Sequence, residues 1–200
     1  MTTSATLSNA ALDTLFLQAR THNGWQDKPV DDALLQRIWD LARMGPTSVN
    51  CSPLRVVFVK SPEAKARLIP ALMESNRAKT QAAPVTAIFG NDRQFYDLLP
   101  KLFPHANVRD WFAGPGKEGN AATTAFRNGT LQSAYFMLAA RALGLDCGPM
   151  SGFDNAQVDR EFFPGGLIQS NFICNLGYGD PGRLFPRSPR LEFSEACSIT

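Results

Sequence analysis

Apolar residues recur at helical spacing at Leu12, Leu15, Phe16 and Ala19, behind Asn9, and predict an amphipathic helix over about 9–20. The polar turn Thr21-His22-Asn23-Gly24-Trp25 interrupts it. Asp31 is placed to cap a second helix with Leu34, Ile38, Leu41 and Ala42 on one face, and Gly45-Pro46 stops it. The period then changes. Arg55 to Lys60, RVVFVK, is rich in β-branched residues and predicts a strand. Ser61-Pro62 pairs an N-cap with a proline at the first helical position and opens a helix through about Met73. Pro84 introduces a second strand, VTAIF, over 85–89.

The pattern fails over residues 100–122, which carry Pro100, Pro104 and Pro115 with Phe103, Trp111 and Phe112. A stretch of this length without periodicity is functional or disordered, and its aromatics argue that it folds over something. From about Thr123 to Leu143 runs the longest helix, apolar on several sides and closed by Gly144, so it is expected to be central. Asp154 with Gln157 predicts a capping box for a short helix, and NFICNL (171–176) is the third clear strand. From Gly177 the chain reads as an extended arm with a little helix near Ser194. Three clear strands, irregularly spaced, exclude a doubly wound sheet or a barrel and point to an α+β layer structure. The expected organisation is one domain over 1–200, with 100–122 as a lid-like excursion and 177–200 as a C-terminal arm.

Composition narrows the function classes. The 200 residues are 44% hydrophobic and 19% charged, with a formal net charge of +2. Disordered, coiled-coil and collagen chains are excluded. No two Lys or Arg residues are adjacent, and without a clustered basic face nucleic acid is not an expected partner. The longest uninterrupted apolar run, Ala134 to Ala140, is too short for a membrane span. No Lys or Arg precedes Arg20, so a basic secretory leader is not expected, and the chain reads as cytoplasmic with reduced thiols. Cys51, Cys147, Cys174 and Cys197 lie far apart with no CxxC spacing, and no metal site is expected.

Several familiar patterns lack their context. Gly114-Gly116-Gly119 and Gly177-Gly179-Gly182 match G-x-G-x-x-G, but the first follows no strand, and Pro181, Pro186 and Pro189 prevent a long helix after the second. His22 and His105 are the only histidines and lie in different segments, and Ser151 sits in no nucleophile elbow. No catalytic acid, base or nucleophile is identifiable. Four polar, turn-rich clusters remain: Arg20-Thr21-His22-Asn23, Pro46-Thr47-Ser48-Val49-Asn50, Pro149-Met150-Ser151-Gly152 and Arg187-Ser188-Pro189-Arg190. Arginines and hydroxyls suit a phosphate, an Asn amide suits the donor and acceptor edge of a heteroaromatic ring, and Pro, Met and Gly suit its face. Taken singly, each cluster also reads as a helix cap, a helix stop or a solvated tail.

GPTSVNCSP (45–53) resembles the P-S-S-x-N-x-Q-P stretch of the FMN-dependent nitroreductase family. RTHNGW (20–25), APVTAI (83–88), LFPH (102–105), AFRN (125–128), RALGLDCGPMSGFD (141–154), NLGYGD (175–180) and PRLEFSEAC (189–197) resemble its malonic semialdehyde reductase branch, which acts in pyrimidine degradation. The resemblance covers about 10–198. It implies a small mixed or antiparallel sheet with helices around a long central helix, in an intertwined homodimer whose C-terminal arm embraces the partner. FMN would sit at that interface. One chain would supply Arg20, Thr21, His22, Asn23, Pro149, Met150, Ser151, Gly152 and the arm residues Arg187 and Arg190. The other would supply Pro46, Thr47, Ser48 and Asn50.

Asn76, in NRAK (76–79), is placed where the family sets an amide on the ring's polar edge, and the Ser151-Gly152 backbone would lie near flavin N5. The family's first motif, Arg-x-Ser-x-Arg or Lys, fits in two registers: Arg20 as its cation, or Thr21 and Asn23 in place of its Ser and second cation. Ser52 stands where the family usually has Gln. The implied activity is reduction of malonic semialdehyde to 3-hydroxypropanoate with NADH or NADPH as hydride donor. Arg109, within the excursion, is the candidate cation for a carboxylate-bearing substrate. A broad nitro or quinone reductase and a non-catalytic flavin carrier are the alternatives on the same scaffold.

Overall fold

Four strands make one antiparallel sheet in the order β1-β2-β4-β3: β1 is Leu54–Val59, β2 Val85–Asp92, β3 Asp146–Met150 and β4 Ile168–Gly177. The computed structural model describes residues 6–200, and the first five residues of the expected domain lie outside it. Period-two alternation sorts the two central strands. Ala87, Phe89, Cys174 and Leu176 face one layer and Ile88 and Ile173 the other, and all six are fully buried.

The first layer is α2 (Asp32–Ala42) and the 25-residue α6 (Glu118–Ala142), which place Ile38, Phe136 and Ala140 over the sheet. Phe136 meets Phe89 edge-on with ring centroids 5.3 Å apart. The second layer is α3 (Pro62–Leu68) and α7 (Asn155–Phe162), which contribute Leu68 and Val158, with Phe163 just beyond α7. Ser61 caps α3, accepting from the Ala64 amide at 3.1 Å, and Asp154 caps α7, accepting from the Gln157 amide at 3.0 Å.

Several elements differ from the sequence expectation. The first helix is two short pieces, α1 at Asn9–Leu12 and a π-turn at Asp13–Leu17, and it ends three residues early. The helix opened by Ser61-Pro62 ends at Leu68. After a 3-10 turn at Ile69–Ala71 a separate α4 follows at Glu74–Ala82, which the apolar pattern did not reveal. Pro149 and Met150, read as part of a turn-rich cluster, lie in β3, an edge strand where a proline costs no ladder bond. The excursion contains a short helix α5 at Leu99–Leu102 and a 3-10 turn at Arg109–Trp111, and α6 begins at Glu118 rather than near residue 123. Phe95, Leu99, Val108 and Phe112 form a third, small core beneath it. The arm carries its helix, α8, at Phe193–Ala196. Among the described residues no helix is long and apolar enough to cross a membrane.

Candidate functional site

The segment before Trp25 lies along the free edge of β3. Thr21 bridges to Cys147 and the His22 amide donates to the Cys147 carbonyl at 3.0 Å. Extended backbone alternates its side chains, so Thr21 and Asn23 face a cleft while His22, between them, turns inward. The His22 ring packs where a side chain on Gly179 would have to stand, and its Nε2 is 3.3 Å from Asp146 Oδ1. Asp146 Oδ2 accepts from the Gly179 amide at 2.8 Å. Both the His22 amide, on Cys147, and its ring, against Asp146 and Gly179, are engaged in holding the segment against the sheet, so neither is free for the expected contact.

The cleft has a volume of about 630 Å³ and is lined by Arg20, Arg141, Arg187 and Arg190 together with Thr21, Asn23 and Ser188. No carboxylate lines it and none of these arginines makes an ion pair among the described residues. Each bonds backbone oxygen instead. Arg20 donates to the Phe185 carbonyl, Arg141 to Leu15 at 3.1 Å, Arg187 to Leu17 at 2.8 Å and Arg190 to Ser188 at 2.9 Å. Four like charges without a counter-charge give the cleft a positive potential, and guanidinium donors suit phosphate.

Asn23 links this cleft to α4. Its Oδ1 accepts from Lys79 Nζ at 3.2 Å, and Trp25 Nε1 donates to the Lys79 carbonyl at 3.1 Å. Burial lowers the pKa of the Lys79 ammonium. One turn earlier on α4, buried Asn76 donates to the Gly152 carbonyl at 2.9 Å. A Cβ on Gly152 would stand 2.7 Å from the Asn76 amide nitrogen and 2.9 Å from Met73 Sδ, so only glycine fits this approach. The Ser151 and Gly152 amides donate no hydrogen bond among the described residues and remain free for a ligand. Pro149 and Met150 lead into this turn from β3.

A buried polar relay fixes α4 on the sheet. Thr86 donates to Asn175 Oδ1 at 2.7 Å, Asn175 to Thr80 Oγ1 at 3.2 Å, and Thr80 Oγ1 faces Met150 Sδ at 3.7 Å. The result is a continuous polar face from the arginine cleft through Asn23 and Lys79 to Asn76 and Gly152. Lys79 and Arg141 were absent from the sequence-derived site.

The Pro46–Asn50 loop lies elsewhere, strapped along α6. Tyr135 donates to the Pro46 carbonyl at 3.1 Å, Asn128 Oδ1 accepts from the Ser48 amide at 2.8 Å, and Gln132 Oε1 accepts from the Leu54 amide at 3.0 Å. Asn128 and Gln132 are buried polar side chains whose use is to satisfy this irregular backbone. Thr47 Oγ1 accepts from the Ser52 amide at 3.2 Å, and Asn50 donates to the Leu102 carbonyl at 2.7 Å. Val49, Asn50 and Ser52 hold positive φ of 47°, 52° and 40°. Such non-glycine strain persists only where the surroundings enforce it, and it concentrates at functional sites. Cys51 is sealed beneath, its thiol pKa raised to about 11 by burial. Among the described residues no hydrogen bond joins this loop to the arginine cleft or to Gly152. The candidate substrate cation Arg109 pairs with Asp97 at 2.7 Å and lies over the Tyr96 ring.

The chemistry of this face fits a phosphorylated heteroaromatic cofactor. Uncompensated arginines suit a phosphate, Asn76 and Lys79 suit the polar edge of a ring, and the Gly152 turn with its undonated amides suits the ring beside it. Residues 17–178 match the family model described as the nitroreductase family. A Burkholderia lata protein named "Putative NADH dehydrogenase/NAD(P)H nitroreductase" is 66% identical over 194 residues, covering 97% of this chain and 98% of its own. "Putative NADH dehydrogenase/NAD(P)H nitroreductase HadB" of Ralstonia pickettii is 61% identical over 190 residues, covering 94% and 97%. The fold resembles that of a crystal structure named as a putative nitroreductase in complex with FMN, from Exiguobacterium sibiricum. Its TM-score is 0.82 at 20% identity, covering both chains completely.

Proposed function

The chain belongs to the nitroreductase family and is a flavin-dependent oxidoreductase, and on that premise we propose that it binds FMN along the polar face and uses NADH or NADPH to reduce a small organic acceptor. The observation that carries this reading is the arginine cleft without a carboxylate, continuous through Asn23 with Lys79, Asn76 and Gly152. When bound, the flavin accepts hydride from a nicotinamide and delivers it to the acceptor. The protein's own part is to bind and orient. Arg20, Arg187 and Arg190 hold the phosphate, Thr21 and Asn23 the intervening chain, and Asn76 and Lys79 the polar edge of the ring. Lys79 places a positive charge where negative charge collects on reduction, in a partly desolvated site where it counts for more. The free Ser151 and Gly152 amides donate near the reacting nitrogen.

Pro46, Thr47, Ser48 and Asn50 fit this reading as residues given to a second copy. Leu41, Met44, Phe126 and Leu131 are exposed on and beside α2 and α6, and Phe185, Leu191, Phe193 and Ile199 on the arm. Apolar surface of this extent calls for a partner, and an intertwined homodimer with arm 177–200 across the neighbour would cover it. Of the 100–122 excursion, residues 100–117, the part outside α6, would form the lid, since Asn50 ties them to the strapped loop.

For the acceptor, the reading is malonic semialdehyde, reduced to 3-hydroxypropanoate in pyrimidine degradation. It is supported by the resemblance of RALGLDCGPMSGFD and its companion motifs. Arg109 can serve such a carboxylate only by exchanging its Asp97 partner. A broad nitro or quinone reductase is the second reading, favoured by the names of the relatives.

The purified protein is expected to be yellow, dimeric by light scattering, and bleached anaerobically by NADH or NADPH. The ratio of kcat/KM for malonic semialdehyde to that for nitroaromatics and quinones decides between the acceptors. A colourless monomer inert to both nicotinamides would overturn the reading.

A further inference from the structure

Ser52 is held at a φ of 40° although Pro53 follows it, and a residue before proline is driven to extended backbone with negative φ. A non-glycine side chain in the left-handed region adds its own cost. Two side chains hold the residue there, one on each side. Thr47 Oγ1 accepts from the Ser52 amide at 3.2 Å, and Arg55 Nη1 donates to the Ser52 carbonyl at 3.0 Å. Pro53 has no N–H, so that carbonyl is the one hydrogen-bonding group by which the Ser52–Pro53 peptide can be gripped. The same Nη1 donates to the Leu54 carbonyl at 2.9 Å, and Nη2 pairs with Asp92 Oδ2 at 2.6 Å. Asp92, the last residue of β2, is itself fixed: its amide donates to the Pro53 carbonyl at 2.9 Å and its Oδ1 accepts from the Gln94 amide at 2.8 Å. A cross-strand ion pair alone would engage one guanidinium nitrogen and contribute little near the surface. Arg55 is half-buried and commits its other nitrogen to the turn.

We infer that Arg55 is a positioning residue for the cofactor loop: anchored by Asp92, it locks Ser52 in its strained conformation and so presets Pro46 to Asn50 for the flavin of a second copy. This rests on the reading that the loop is given to a second copy. The lock is passed on through Thr47, whose hydroxyl holds the Ser52 amide and whose carbonyl accepts from the Asn50 amide at 3.0 Å. Arg55 acts through Ser52 and not by contact with the flavin. Without it the turn is relaxed for part of the time, and the apparent affinity falls with the fraction that stays competent.

The test combines thiol labelling with FMN titration of the flavin-free protein, using Arg55→Met alone and together with Ser52→Gly. Glycine takes a positive φ without steric cost, so it makes the lock dispensable. In Arg55→Met, iodoacetamide should reach Cys51, buried beneath the loop, at least about fivefold faster, while Cys174 in the sheet stays protected. The dissociation constant for FMN, from quenching of flavin fluorescence, should rise about five- to thirtyfold, the cost of one left-handed residue expressed as a population. Adding Ser52→Gly should bring both readouts back to within about threefold of the parent, a rescue that a merely stabilising ion pair would not show. Arg55→Lys keeps a charge opposite Asp92 but not the planar fork, and should fall between. Unchanged Cys51 labelling in Arg55→Met, or no rescue by glycine, would overturn the lock. Faster labelling with unchanged FMN affinity would overturn the positioning role, because the loop would then open without consequence for the cofactor. Should Arg55→Met fail to fold, the lysine variant with and without Ser52→Gly decides by the same two readouts. A parent that binds no FMN would overturn the proposed function itself, and this inference with it.

Discussion

The carboxamide of Asn50 donates to the backbone carbonyl of Leu102 at 2.7 Å, although Asn50 itself is held at a φ of 52°. One residue thereby joins a strained loop, strapped to α6, to the excursion over the small third core. Asparagine suits both tasks. It tolerates the left-handed region better than other side chains, and it carries the donor.

Two substitutions separate these tasks. Asn50→Gly relieves the backbone and removes the tether, so thermal stability should change little while proteolytic cleavage within 100–117 becomes faster. Asn50→Ala removes the tether and adds the left-handed penalty, with a further loss of about 1 kcal/mol in urea unfolding. Equal cleavage rates for both variants and the parent would show that Leu102 does not depend on Asn50.

Gly152 is predicted to tolerate no side chain. In Gly152→Ala the new methyl would stand 2.7 Å from the Asn76 amide nitrogen, closer than van der Waals contact allows. Met73 can move at its flexible end, but Asn76 is buried in α4 and would lose its bond to the Gly152 carbonyl. Flavin content of the purified variant should drop severely, while circular dichroism stays near that of the parent. Full flavin occupancy would separate this turn from the cofactor.

Thiol labelling reports the burial of the cysteines. Cys51, Cys147 and Cys174 are buried and only Cys197 is exposed, all four as free thiols. Burial raises the pKa of Cys51 to about 11 and raises that of Cys174 as well, so neither is a nucleophilic thiolate near neutrality. Iodoacetamide at pH 8 should label Cys197 alone in the native protein and all four cysteines in denaturant. Labelling of Cys51 in the native state would mean that the strained loop opens.

The sequence disclosed those elements whose cause is local. β1 and β2 announce themselves by β-branched runs, β4 by the short apolar stretch NFICNL, and α7 by the Asp154–Gln157 cap, because propensity and capping act over a few residues. α4 was hidden, since ESNRAKTQA carries no apolar stripe and owes its stability to the Thr80–Asn175 relay and to Lys65 at its end. β3 was hidden because Gly148 and Pro149 are poor strand formers that pairing with β4 overrides. The site followed the same division. Arg20, Asn23, Asn76, Gly152 and the arm arginines stand in recognisable motifs. Lys79 and Arg141 acquire meaning only from what folds beside them, Asn23 in one case and the N-terminal Leu15 in the other. The spacing of Lys79 three residues after Asn76 was the one signal that could have found it.

Lys65 offers a pH test of how α4 is held. It is a buried lysine on α3 whose ammonium donates to the Gln81 carbonyl at 3.0 Å and to that of Ala83, satisfying orphan carbonyls at the end of α4. Burial lowers its pKa from 10.5. Between that lowered value and 10.5 the unfolded chain binds more protons than the native state, so this group's contribution to stability rises with pH across the window. Below the window the native state bears the cost of a desolvated ammonium, and the carbonyl bonds offset it. Lys65→Met leaves those carbonyls without a donor and should destabilise by about 1–3 kcal/mol near neutrality. The gap between parent and variant should then widen as pH rises toward 10.5, measured by urea unfolding at constant ionic strength. A gap that stays constant or narrows would mean that the Lys65 ammonium is hydrated in the native state.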